Sequence, residues 1–232
     1  MAESFGHFQI GDDFAVLPYV DAVNIACGFH GGDSLTIKNM ISQSINADKL
    51  IGAHPSYPDL AGFGRRYMEM SSEELSASLF YQICAIKCMT ECLGGKLHHV
   101  KLHGALYNAA VKDKSIADNF IKTIIEIDSK LKVFAPEHSE MCVAAKNAGI
   151  NVWHEAFADR RYNMDGTLAS RKSSASIIET PELVLRQFEL LIGGKAETID
   201  GTIIDVNADT ICLHGDHPAA LRSLVLIRKH FG

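Results

Sequence analysis

Along the chain, short continuous apolar runs alternate with segments whose apolar residues recur at three- and four-residue spacing. Five runs, at residues 22–30, 50–54, 99–103, 152–155 and 210–214, end at His30, His54, His103, Glu155 and His214. Continuous apolar strands alternating with amphipathic helices predict a parallel sheet buried on both faces. In a βα barrel the carboxyl ends of the strands converge on one mouth, where such proteins place their chemistry. One polar strand end would mean little, but five of them predict an active site.

The helices announce themselves by their ends. Asp33 or Ser34 can cap a helix whose apolar face is Ile37, Met40, Ile41 and Ile45. Ser71 with Glu74 forms a capping box ahead of Leu75, Leu79, Ile83 and Ile86, and Gly94-Gly95 stops that helix. Helices follow over residues 115–127 and 139–148, with a strand at 132–136 between them. Thr180-Pro181-Glu182 opens another helix and Gly193-Gly194 closes it; the last begins near Pro218. Two stretches break the alternation. Residues 158–176 are too long for an ordinary connection and predict a lid or binding loop. Asp200-Gly201 between apolar segments predicts a hairpin.

At 232 residues the chain suits one α/β barrel domain spanning 1–232. A net charge of -6 argues against nucleic acid as the main partner, which would need a basic stripe. No run approaches the ~20 apolar residues of a membrane span. The first residues lack the basic and apolar regions of a signal peptide, so the expected location is cytoplasmic. Of the six cysteines, Cys84, Cys88 and Cys92 share one helix face. A straight helix cannot wrap three thiolates around one ion, so they are expected as small residues on a buried face, without disulfides.

The polar groups define candidate roles. Asn24-Ile-Ala-Cys-Gly-Phe-His-Gly-Gly-Asp33 brings an amide, an imidazole and a carboxylate to a glycine-rich strand end. His30 could bind a metal or move a proton, and Asp33 could orient it or cap the next helix. His54 opens a stiff loop leading to Gly62-Phe-Gly-Arg65-Arg66, whose NH groups and guanidinium groups suit a carboxylate or phosphate. Lys101 and His103, two apart, point to one face, and a lysine in an apolar run requires a carboxylate or an anionic ligand. His98 and His99, at the strand entrance, are expected to face solvent. Glu155, Asp159 and Arg160 form another polar strand end, and His214 with Asp216 could act as an oriented base. No Gly-x-x-x-x-Gly-Lys-Ser/Thr segment exists, which excludes a P-loop.

Six segments together resemble the LamB/YcsF family, the A subunits of the bacterial ATP-dependent 5-oxoprolinase. They are Asn24 to Asp33, Gly52-Ala-His-Pro-Ser-Tyr-Pro-Asp59, Gly62 to Arg66, Val100-Lys-Leu-His-Gly-Ala-Leu-Tyr-Asn108, Glu155-Ala-Phe-Ala-Asp-Arg160 and Cys212-Leu-His-Gly-Asp216. The resemblance implies a deformed (β/α) barrel of about seven strands, similar to that of polysaccharide deacetylases. It implies hydrolysis of 5-oxo-L-proline to L-glutamate with ATP as co-substrate, in concert with B and C subunits. Family members begin with a strand like Asp-Leu-Asn-Cys-Asp-Leu-Gly-Glu-Ser-Phe-Gly, of which only Glu3-Ser4-Phe5-Gly6 stands here. The barrel is therefore expected to lack its first strand, leaving a gap filled by residues 5–10, another chain or water. An open edge of that kind favours association of copies. In the related deacetylases an Asp near the first strand joins two His on a divalent metal; the matching residues are His30 and His54, and the Asp has no counterpart.

These expectations give Arg65 or Arg66 as the anchor for the substrate carboxylate and His103, or His214 with Asp216, as the base. Lys101 with His30 or His54 would stabilise charge, with Glu155 and Asp159 orienting them and Asn24 and Asp33 completing the substrate site. Two rivals stand beside this reading: a metal-dependent deacetylase of N-acetyl sugars, and a non-catalytic docking subunit.

Overall fold

The computed structural model describes all residues except Lys172, Ser174 and Pro218. Six parallel strands form one curled sheet: β1 (Ala22–Ala26), β2 (Leu50–His54), β3 (Leu97–Val100), β4 (Lys132–Ala135), β5 (Val152–Phe157) and β8 (Thr210–Cys212). They lie in the order β1-β2-β3-β4-β5-β8, a half-barrel with β1 and β8 at its edges. The α/β barrel character is as expected, with six strands rather than seven. The hairpin at Asp200-Gly201 joins β6 (Lys195–Glu197) to β7 (Ile203–Asp205), which pair antiparallel apart from the main sheet.

A single helical turn, α1 (Asp13–Val16), precedes β1, and the longer helices cover the outside of the sheet. Asp33 caps α2 (Ser34–Asn46), and Ser71 with Glu74 completes the capping box of α3 (Ser72–Cys92). The expected helix at 115–127 is α5 (Lys114–Asp128), preceded by α4 (Gly104–Lys112), and α6 covers Glu140–Asn147. Pro181 stands at the first turn of α7 (Pro181–Ile192). The start expected near Pro218 lies outside the described residues, and the last helix, α8, runs Ala220–Phe231. Ile25, Ile51, Val100 and Val133 from the strands pack with Ile41, Leu79, Ile83 and Phe120 from the helices in the main apolar core. The cysteine expectation is corrected: Cys88 and Cys92 are exposed and Cys84 is half-buried, because the buried face of α3 is made by Leu75, Leu79, Ile83 and Ile86.

The gap expected beside β1 is occupied by residues 1–3. Ala26 N donates to Met1 O (2.9 Å), Met1 N donates to Asn24 O (2.7 Å), and Gly32 N donates to Glu3 O (3.1 Å). Residues 5–8 instead close a tight turn through mutual backbone bonds between Phe5 and Phe8. This run brings a carboxylate, Glu3, to the mouth.

Candidate active site

The geometry of the site starts from strand parity. Past the last paired residue of β3 the backbone stays bonded to its neighbour, with Lys101 N donating to Ala53 O (3.0 Å) and His103 N to Pro55 O (2.8 Å). Residues 99, 101 and 103 therefore share the inward face. The expectation that His99 faces solvent is corrected: it is fully buried, stacked on Phe134 at 3.8 Å, and its Nε2–H donates to Asn24 Oδ1 (3.0 Å). Burial, then the neighbouring His98, holds its pKa well below that of free histidine. Gly52 lies opposite, where any Cβ would fall inside the His99 ring.

One layer above His99, Lys101 and Glu155 meet across the sheet with Nζ and Oε1 2.5 Å apart, both buried. Tyr107, on α4, donates its hydroxyl to Glu155 Oε2 (3.0 Å), and Lys101 Nζ also donates to Cys212 Sγ (3.0 Å). Burial opposes the charge on Lys101, but Cys212 and Glu155 outweigh it and raise its pKa above the ordinary value. Burial pushes the Cys212 thiol itself up to about 12.

The second group lies at the ends of β1–β3. The rings of His30 and His103 stack at 3.7 Å, and His30 Nε2 faces Glu3 Oε1 at 3.3 Å. His54 Nδ1–H donates to Lys101 O (2.7 Å), and His103 Nε2–H donates to Phe63 O (2.8 Å). Phe63 adopts a left-handed φ of 55°, which aims this carbonyl at His103. Such a backbone costs a non-glycine residue about 1–2 kcal/mol. Gly64 follows because a Cβ there would approach His103 and His30 to 2.8 and 2.9 Å. The remaining ring nitrogens, His54 Nε2 and His103 Nδ1, face each other at 3.0 Å. Burial above all holds both rings well below the ordinary histidine pKa. Donor atoms of Glu3, His54 and His103 lie within 4.8 Å of one another. Of the pair expected to hold a metal, His54 turns its Nε2 to His103, and His30 turns its Nε2 to Glu3.

At the rim, the β5–β8 register sets Phe157 opposite Cys212, so Asp159 and His214 fall side by side two residues on. His214 Nδ1–H donates to Asp159 Oδ2 (2.7 Å), as does the His214 backbone N–H (3.0 Å). Despite burial, which works against its charge, His214 holds the Asp159 carboxyl well below the carboxylate range. Arg171 donates to His214 Nε2 (3.1 Å). The expected His214–Asp216 pair does not form: Asp216 accepts from Arg65 (2.6 Å), whose guanidinium also lies 4.9 Å above the Phe63 ring.

Lys101, His103, Glu155, His214, Asp216, Asn24, His54 and Arg65 all line one cavity of about 720 Å³. His30 lies behind it, in the layer stacked on His103. Asp159 likewise acts from behind, through His214. Two expected substrate contacts stand apart from the cavity. Asp33 is a helix cap, its carboxylate filled by the N–H groups of Leu35, Thr36 and Gly6. Arg66 is exposed and paired with the buried Asp59. Residues missed from the sequence are Glu3, Tyr107, Cys212 and Arg171, all of which line the cavity. Tyr107 and Cys212 stand inside segments that carry the resemblance, Glu3 opens the short Glu3-Ser4-Phe5-Gly6 match, and Arg171 lies in the 158–176 stretch expected as a lid or binding loop.

The fold and cavity define a βα half-barrel protein whose polar groups meet at the carboxyl ends of its strands. The chain belongs to the LamB/YcsF family, whose model matches residues 1–232. The 5-oxoprolinase A subunit of Bacillus cytotoxicus is 41% identical over 232 residues, covering 100% of this chain and 92% of the relative. That of Pyrococcus horikoshii is 40% identical over 230 residues, covering 99% and 90%. The crystal structure of the lactam utilization protein from Thermus thermophilus is similar with a TM-score of 0.93 at 37% identity, covering 100% of this chain and 94% of that one.

Proposed function

We propose that this chain is the A subunit of a 5-oxoprolinase and opens the lactam ring of 5-oxo-L-proline to L-glutamate, with ATP as co-substrate and B and C subunits as partners. The observation that supports this reading most is the cavity itself. It combines an oriented imidazole, a buried ammonium and rim guanidinium groups in a chain about 40% identical to proteins named as 5-oxoprolinase A subunits.

A five-membered lactam is a stable amide, and phosphorylation of its carbonyl oxygen by ATP would activate it. The ring carboxylate suits the guanidinium groups of Arg65 and Arg171. His214, held by Asp159 with its Nδ1 protonated, offers Nε2 as acceptor for a proton of water. In this reading the water oxygen bonds to the carbonyl carbon as its proton passes to His214, the C–N bond breaks, and the ring nitrogen takes up a proton to leave as the amine. A second water then hydrolyses the resulting acyl phosphate, releasing phosphate and the side-chain carboxylate of glutamate. Arg171 now donates to Nε2. A substrate carboxylate would compete for that guanidinium and leave Nε2 to the water. Lys101, positive and fixed by Glu155, supplies preorganised charge for the oxyanion. The test is reconstitution with the B and C subunits, measuring glutamate and ADP formed on addition of 5-oxoproline. Equal formation of glutamate and ADP is expected. No 5-oxoproline-dependent turnover in the assembled complex would reject the reading.

A further inference from the structure

The proton count of the buried histidines separates two pairs that look alike. His98 and His99 face each other through Nδ1 atoms 3.1 Å apart. Lys132 Nζ donates to His98 Nε2 and His99 Nε2 donates to Asn24 Oδ1, so His98 carries its proton on Nδ1 and His99 accepts it there. Two neutral rings satisfy that chain. His54 and His103 do not allow the same solution. Each spends its proton on a backbone carbonyl, of Lys101 and of Phe63 respectively. Their facing nitrogens, 3.0 Å apart, are then two bare lone pairs.

Two lone pairs at that distance repel unless a cation lies against both. We propose that His54 Nε2, His103 Nδ1 and the Glu3 carboxylate bind one divalent transition-metal ion facing the cavity. Donors about 2.1 Å from one ion and about a right angle apart are separated by about 3 Å, as these nitrogens are. Both ligand rings donate their other N–H to a carbonyl, the arrangement that fixes tautomer and orientation at metal-binding histidines. Imidazole with carboxylate selects a zinc-, iron- or manganese-like ion over magnesium or calcium. All three residues line the cavity. Such an ion polarises a carbonyl or lowers the pKa of water. His30, stacked on His103 and facing Glu3, positions two of the ligands.

Metal uptake is measured on this chain alone, without B or C subunits or 5-oxoproline, so its result stands apart from that of the turnover assay. Chelator-treated protein is titrated calorimetrically with ZnCl2 and with MnCl2, and bound metal is counted after gel filtration. One equivalent per chain is expected, with affinity at least ~100-fold lower in His54→Ala and His103→Ala and ~10–100-fold lower in His30→Ala. Imidazole 15N spectra of the unsubstituted protein serve where a variant does not fold: zinc should shift His54 Nε2 and His103 Nδ1. Less than a tenth of an equivalent bound, undiminished affinity in a folded His103→Ala protein, or unmoved 15N resonances would overturn the assignment.

Discussion

Replacing Lys101 by methionine removes the ammonium 2.5 Å from Glu155 and leaves that carboxylate buried with the Tyr107 hydroxyl as its remaining partner among the described residues. Lys101 considered alone on an apolar strand suggests the opposite outcome, since deleting an unpaired buried charge relieves desolvation. The pair reverses the sign. Breaking a buried ion pair from one side costs about 3–5 kcal/mol. Glu155→Gln should cost less, because the amide oxygen still accepts from Lys101 and Tyr107. In the Lys101→Met/Glu155→Gln double variant no buried charge is left unpaired, and the loss should shrink to about 1–2 kcal/mol, giving a coupling energy of about 2–3 kcal/mol. Urea unfolding followed through Trp153, the one tryptophan of the chain and two residues from Glu155, reads these values directly. With a slope of about 2–3 kcal/mol per molar, the midpoint of Lys101→Met should fall by about 1–2 M. Turnover in the reconstituted complex should be lost in the single and the double variants alike. Strictly additive stabilities, or a Lys101→Met protein as stable as the parent, would refute the pairing argument.

Three further outcomes follow from the same geometry. Asp159→Asn takes away the acceptor that fixes the His214 tautomer, so kcat should fall by about 10²–10⁴-fold with near-normal circular dichroism; full activity would remove His214 from the role of base. His99 is held neutral by burial, so the unfolded chain takes its proton near pH 6.5 while the folded chain does not; stability is therefore present above that pH and declines below it. Acid-limb urea titrations of His99→Gln should lose about 1.4 kcal/mol per pH unit of this slope relative to the parent, and an unchanged slope would contradict it. Gly52→Ala forces a methyl into the His99 ring and should destabilise by about 1–3 kcal/mol or more, seen as a lower melting temperature.

Much of this arrangement was legible in the chain. The apolar runs, the caps at Asp33 and Ser71, the first-turn Pro181 and the Asp200-Gly201 hairpin all carry local signals, and local physics fixes them. The inward position of His99 does have a signal in the chain: if residues 101 and 103 point inward, period two sends residue 99 inward as well. Pairing of charges was not legible, because it depends on register between strands distant in sequence. Proximity in the chain favours pairing His214 with Asp216, whereas the Phe157–Cys212 alignment sets it beside Asp159. The place of Glu3 at the mouth has no periodic signal, because residues 1–3 carry no alternating pattern and are placed by backbone bonds to β1 and to Gly32.

The buried polar groups also bear on why the cavity is built this way. A buried ion pair is weak evidence of stabilisation, since apolar residues of similar volume often hold a fold as well or better. Lys101 and Glu155 lie where such residues would pack, beside Phe157 and Cys212. Their ionic character is therefore not demanded by folding. What it secures is a positive charge at a fixed place on the cavity wall, with Tyr107 and Glu155 holding it against solvent and against the low dielectric around it. Charge that is already oriented needs no reorganisation when an oxyanion forms. The double variant tests this separation directly: a protein that keeps most of its stability and loses its turnover would show that the pair serves the cavity rather than the core.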